Sequence, residues 1–136
     1  MIDVTPEEAE MIASALTRKN ARARSLAELV VGWDDFVERV ERGYSLTIYD
    51  YTNDLGTRNL LEHLCHSVTS ELARRIRAEL KDTDERFRSA TVEYPRATVP
   101  AAEPDRWWYF RRPKVLVGDL RQDFDDLNSN ETELRE

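Results

Sequence analysis

The chain has 136 residues, and its 27 acids outnumber its 20 bases to give a net charge of −7. That length buries roughly two thirds of the surface an unfolded chain exposes, enough for one self-sufficient core without a disulfide or a metal. The single cysteine, Cys65, excludes an intrachain disulfide and fits a reducing cytoplasm, while the absence of any apolar run near ~20 residues argues against a membrane span.

The first residues, Met1-Ile2-Asp3-Val4, lack the basic and apolar regions of a signal peptide, so a cytoplasmic protein is expected. The acidity is concentrated at one end. Residues 119–136 hold seven carboxylates against two arginines, a net of −5, and the remaining body is nearly neutral. The low isoelectric point therefore says little about what the folded surface binds. The cations are 17 Arg and 3 Lys, which fits codon bias in a GC-rich genome as well as it fits selection for bidentate contacts.

Thr5-Pro6-Glu7-Glu8 reads as a helix start, with Thr5 capping, Pro6 at the first helical position and Glu8 closing a capping box. Met11, Ile12, Ala15 and Leu16 form its apolar stripe. An end near Arg18 leaves Arg18, Lys19, Arg22 and Arg24 where the helix dipole favours cations. Ser25-Leu26-Ala27-Glu28 is a second box. It opens the clearest helix, in which Leu26, Leu29, Val30, Trp33, Phe36, Val37 and Val40 repeat with a period near 3.6 and Gly43 supplies a stop. Gly32, a costly residue inside a helix, suggests a close neighbour.

Residues 44–54 fit two patterns. Tyr44, Ile48, Tyr51 and Leu55 match a helical seam, whereas Tyr44, Leu46 and Ile48 alternate like a strand. The helical surroundings favour helix, with a break at Asn53-Asp54-Leu55-Gly56. Leu60, Leu61, Leu64 and Val68 carry the pattern on to about His66. A cap among residues 67–70 starts another helix, with Leu72, Ile76, Leu80 and Phe87 on its core face. Glu71 with Arg75 and Asp84 with Arg88 form acid-first pairs four apart. Residues 92–105 contain Pro95, Pro100 and Pro104 and read as an extended connector. Residues 107–117 read as a short strand or extended arm. Leu120, Phe124 and Leu127 allow a short docked helix before disorder beyond Asn128.

The arm begins with Trp107-Trp108-Tyr109-Phe110, four of the chain's twelve aromatic residues in succession, followed by Arg111 and Arg112. Four adjacent rings cannot share one face of a helix or strand, so some meet a second surface. That surface is this chain's own bundle or a partner. Cations interleaved with rings also suit single-stranded nucleic acid, but such domains carry a net-positive body and this one does not. The second polar cluster is Tyr49, Asp50, Tyr51, Asp54 and Arg58. On a continuous helix Asp50 and Asp54 share a face, and Arg58 follows Asp54 at the pairing distance. A structural ion pair is the plainer reading, and Tyr49, Tyr51 and Arg58 also suit a binding hot spot. Two nearby carboxylates with His63 could do acid–base work. His63 and His66 stand at a ligand-like spacing, yet no second ligand cluster accompanies them, so no metal or other cofactor is expected. Cys65 reads as a small buried hydrophobe. The chain has no phosphate-cradling loop, and its four glycines leave little material for one.

These readings converge on an all-α bundle of about four helices, formed by residues 1–118 and including a C-terminal aromatic arm at 92–118. An acidic, partly disordered tail occupies 119–136. The expected function is non-enzymatic protein–protein interaction, of which an immunity- or antitoxin-like role is one form, or self-association. Binding is assigned to Tyr49, Asp50, Tyr51, Asp54, Arg58, Trp107, Trp108, Arg111 and Arg112. Single-stranded nucleic-acid binding through the arm is the second reading, and an enzyme built on Asp50, Asp54, Arg58 and His63 is the third.

Overall fold

The computed structural model describes residues 2–19, 25–95, 98–99 and 102–135, with side chains described through Asn128. Arg22, Arg24 and Pro100 lie outside them. The chain forms α1 (Pro6–Arg18), α2 (Leu26–Arg42), α3 (Ile48–Ser67), α4 (Ser70–Ala90) and β1 (Thr91–Glu93). A 3-10 turn (Trp107–Phe110), β2 (Arg111–Pro113) and α5 (Gly118–Arg135) follow. The molecule is mainly helical, as expected, with five described helices and a small two-stranded sheet.

The first two helices begin and end where local chemistry places them. Thr5 Oγ1 accepts from the Glu8 N–H at 3.1 Å, and Glu8 Oε1 accepts from the Thr5 N–H at 2.9 Å. Ser25 Oγ accepts from the Glu28 N–H at 3.1 Å, the forward half of the expected box. Gly43 ends α2 at φ 115°, a conformation that side chains with a Cβ resist. Ile12, Ala15, Leu16, Leu29, Trp33, Phe36, Val37 and Val40 are all buried.

The segment 44–54 corrects the expected seam. Tyr44 is not helical; it is buried in an isolated parallel bridge to Leu116. The helix starts at Ile48 because Thr47 caps it. Thr47 Oγ1 accepts from the Asp50 N–H, and Asp50 Oδ2 accepts from the Thr47 N–H, both at 3.2 Å. Nor does α3 break at residues 53–56. It passes through Gly56 without interruption, packed against α1, α2, α4 and α5. Tertiary burial outweighs the helix-breaking tendency of Asn, Asp and Gly there.

Thr69 caps α4, which runs straight into β1. β1 pairs antiparallel with β2 in the register Thr91 to Pro113, Val92 to Arg112 and Glu93 to Arg111. This ribbon brings the chain back onto the bundle. The acidic segment then docks as a helix. Leu120 and Phe124 of α5 are fully buried, and Phe124 meets the rings of Tyr51 and Tyr94 at 6.3 and 5.2 Å. The α5 backbone continues past Asn128, where disorder is expected from sequence; the side chains beyond lie outside the described residues.

Candidate interaction surface

The aromatic arm turns inward. Trp108 and Tyr109 are buried, and Trp107 and Phe110 pack partly against the core. The faces of both indoles carry guanidinium groups of this same chain. Arg58 lies 4.6 Å from the Trp108 ring centre, and Arg88 lies 3.9 Å from that of Trp107. Arg111 is equally occupied: its Nε donates to Thr91 Oγ1 at 2.7 Å, and its Nη2 donates to the carbonyls of Arg88 and Thr91. Arg112 Nη1 donates to the Pro113 carbonyl at 3.1 Å. A 3-10 turn explains how four adjacent rings can be placed: at three residues per turn, successive side chains point about 120° apart.

Beneath Trp108 sits a buried ionic network that links α2, α3 and α4. Arg58 donates through Nε and Nη2 to the two oxygens of Asp84, each at 2.9 Å. Trp33 Nε1 donates to the same Asp84 Oδ1 at 2.9 Å. The third Arg58 nitrogen reaches Glu62 Oε1 at 3.2 Å. Glu62 also receives both Nη groups of Arg77, at 3.1 and 2.8 Å, and His66 Nε2 lies 3.0 Å from it. Burial raises the Glu62 carboxyl, but Arg77 and Arg58 outweigh it and bring it down to about 2. The expected pairs four apart, Asp54 with Arg58 and Asp84 with Arg88, are therefore not the ones formed. Asp84 stands on the core stripe of α4, beside Leu80 and Phe87. An acid at a core position was the one sequence signal of a buried partner.

The enzyme-like set does not converge. Asp50 belongs to the Thr47 cap. Asp54 accepts from the Tyr44 hydroxyl at 2.7 Å and lies 3.8 Å from Arg39. Arg58 is bound in the buried network, and His63 Nε2 faces the Ala15 carbonyl at 3.2 Å. Tyr51 is buried, and its hydroxyl donates to the Arg111 carbonyl. Cys65 is buried, which pushes its thiol up. No group of three or more metal-ligating side chains occurs among the described residues.

Among the expected aromatic site residues, Tyr49 is the exposed one. The residue is 84% exposed. Leu46 and Val115 are exposed as well, and with Tyr49 they make three of the five large exposed hydrophobics described. All three lie on two segments that the structure ties together. The Tyr44–Leu116 bridge joins them, and the Asp119 N–H donates to the Ser45 carbonyl at 3.0 Å. Asp50 and Asp119 are exposed on the same segments, and Asp123 Oδ2 accepts from the Ile48 N–H at 2.8 Å. The joined segments thus carry three exposed apolar side chains together with the exposed Asp50, Asp119 and Lys114. Leu46 and Val115 were missed in the sequence because nothing local joins residues 46 and 115.

No protein-family model, curated protein or solved structure matches this chain. No helix among the described residues is long and apolar enough to cross a membrane.

Proposed function

We infer that this protein works by contact with another protein, and that the contact is centred on Tyr49 with Leu46 and Val115. The carrying observation is the exposure of Tyr49, with two further exposed apolar residues, Leu46 and Val115, on segments joined by a backbone bridge. Tyrosine is favoured at the centres of protein interfaces because it brings a large rigid apolar body and one polar tip. The neighbouring Asp50, Asp119 and Asp123 favour a partner whose facing surface is basic, and such complementarity chiefly speeds encounter. An immunity- or antitoxin-like protein that covers a basic surface is one concrete form of this role. The arm supports the reading indirectly: its rings and arginines are engaged within the chain, so a nucleic acid would find few free stacking faces there.

The test places a photo-crosslinking amino acid at position 49 in the native host, with position 10 on the exposed face of α1 as the control. One protein should be captured at 49 and not at 10, and Leu46→Asp should abolish its capture while leaving the circular dichroism spectrum intact. Capture that is equal at both sites, or absent at 49, would remove the assignment.

A further inference from the structure

Helix α2 buries Leu29, Trp33, Phe36, Val37 and Val40 and turns a second face outward. There Ala27, Val31 and Gly32 line an open depression bounded by Glu28 and Asp35. Val31 is 52% exposed, more than any large hydrophobic described except Tyr49. Residues 28, 31 and 35 stand at spacings of three and four, so they form one stripe along the helix.

Two features single out this stripe. Gly32 sits in the middle of α2, where glycine is a poorer helix former than alanine. The fold does not require it, because a Cβ there would lie 3.6 Å from Thr57 Cγ2, an ordinary contact. A missing side chain on this shoulder lets a foreign backbone approach closely. The acids of α2 also divide by position. Asp34 and Glu41 pair with Arg86, and Glu38 pairs with Arg42. The two that bound the depression, Glu28 and Asp35, have no side-chain partner among the described residues. Two copies of this face brought together would crowd four carboxylates, so charge disfavours a symmetric dimer here.

We propose that the outer face of α2 docks a basic amphipathic helix of a partner protein. An aliphatic side chain packs beside Val31 over Gly32, and a lysine or arginine at each end meets Glu28 and Asp35. These acids are seven residues apart, about 10 Å along the axis, so the partner's cations should stand two turns apart. The surface is distinct from the Tyr49 patch, and the proposal does not rest on that patch having a partner.

The probe is a synthetic helical peptide with two arginines seven residues apart flanking leucine. It is titrated by fluorescence anisotropy beside an isomeric peptide whose arginines are scattered around the helix. The patterned peptide should bind at least about tenfold more tightly. Glu28→Lys with Asp35→Lys should weaken it by about tenfold or more, and so should Gly32→Leu. Glu7→Lys with Glu10→Lys makes the same charge change on the exposed face of α1 and should leave binding unchanged. Circular dichroism checks that each variant folds. Equal binding of the two peptides, or equal losses in the two charge-reversed variants, would overturn the proposal. So would dimerisation of the free protein that Val31→Asp abolishes, because a second copy would then be the occupant.

Discussion

Removing the Arg58 guanidinium would leave buried Asp84 with only the Trp33 N–H as a donor among the described residues, Glu62 short of one donor, and Trp108 with just the more distant Arg106 guanidinium, 6.0 Å from its ring centre. A buried ion pair adds little over a well-packed apolar pair, but breaking it from one side is costly, because the remaining charge stays desolvated. Arg58→Ala should therefore lower stability by about 3–5 kcal/mol, measured by urea denaturation. A loss below about 1 kcal/mol would show that water or a rearranged side chain replaces the guanidinium. Lysine is a poor substitute, since one ammonium cannot reproduce two parallel bonds to one carboxylate. The core position of Asp84 hinted that it had a buried partner, but the sequence could not name Arg58, which stands 26 residues away while each residue has a closer acceptable partner.

Helix ends were the most legible elements, because caps are written in three or four consecutive residues. Thr5 and Ser25 announced α1 and α2, and Gly43 announced the end of α2. The start of α3 was missed because the seam through Tyr44 was followed, whereas the helix begins at the Thr47 cap. The strands were harder to place for the opposite reason: β2 falls within the stretch 107–117 read as a short strand or arm, but β1 was not expected. Three residues of β1 and three of β2 take their conformation from each other, across a separation no local pattern records. The glycines divide the elements in the same way. Gly56 lies inside α3 with open space where a Cβ would go, so Gly56→Ala should stabilise the protein by about 0.5–1 kcal/mol. Gly118 opens α5 at φ 56°, and a Cβ there would approach the Ser45 carbonyl to 2.8 Å. Gly118→Ala should destabilise by more than about 1 kcal/mol. Thermal melts of the two variants should move in opposite directions, and a shift in the same direction would contradict the packing described.

For the molecule as a whole, acid should be the main solvent threat. Glu62 has its carboxyl held at about 2 against an ordinary 4.5, so the folded state binds its proton more weakly than the unfolded state does. The stabilisation is fully present above about pH 4.5 and is lost as pH falls toward 2. Calorimetry across that range should show a falling melting temperature, and Glu62→Gln should be less stable near neutrality with a shallower fall. An unchanged slope in that variant would place the acid sensitivity elsewhere. The network also fixes an order of events. Trp108, which lies on Arg58, and Phe124, which closes over Tyr51, both belong to the last third of the chain. During synthesis at about 5–20 residues per second, the ribosome delivers α4 some 2–7 s before it delivers Phe124. Throughout that interval the nascent bundle shows an uncovered guanidinium and an open aromatic socket, the kind of surface that chaperones retain until the remaining residues arrive.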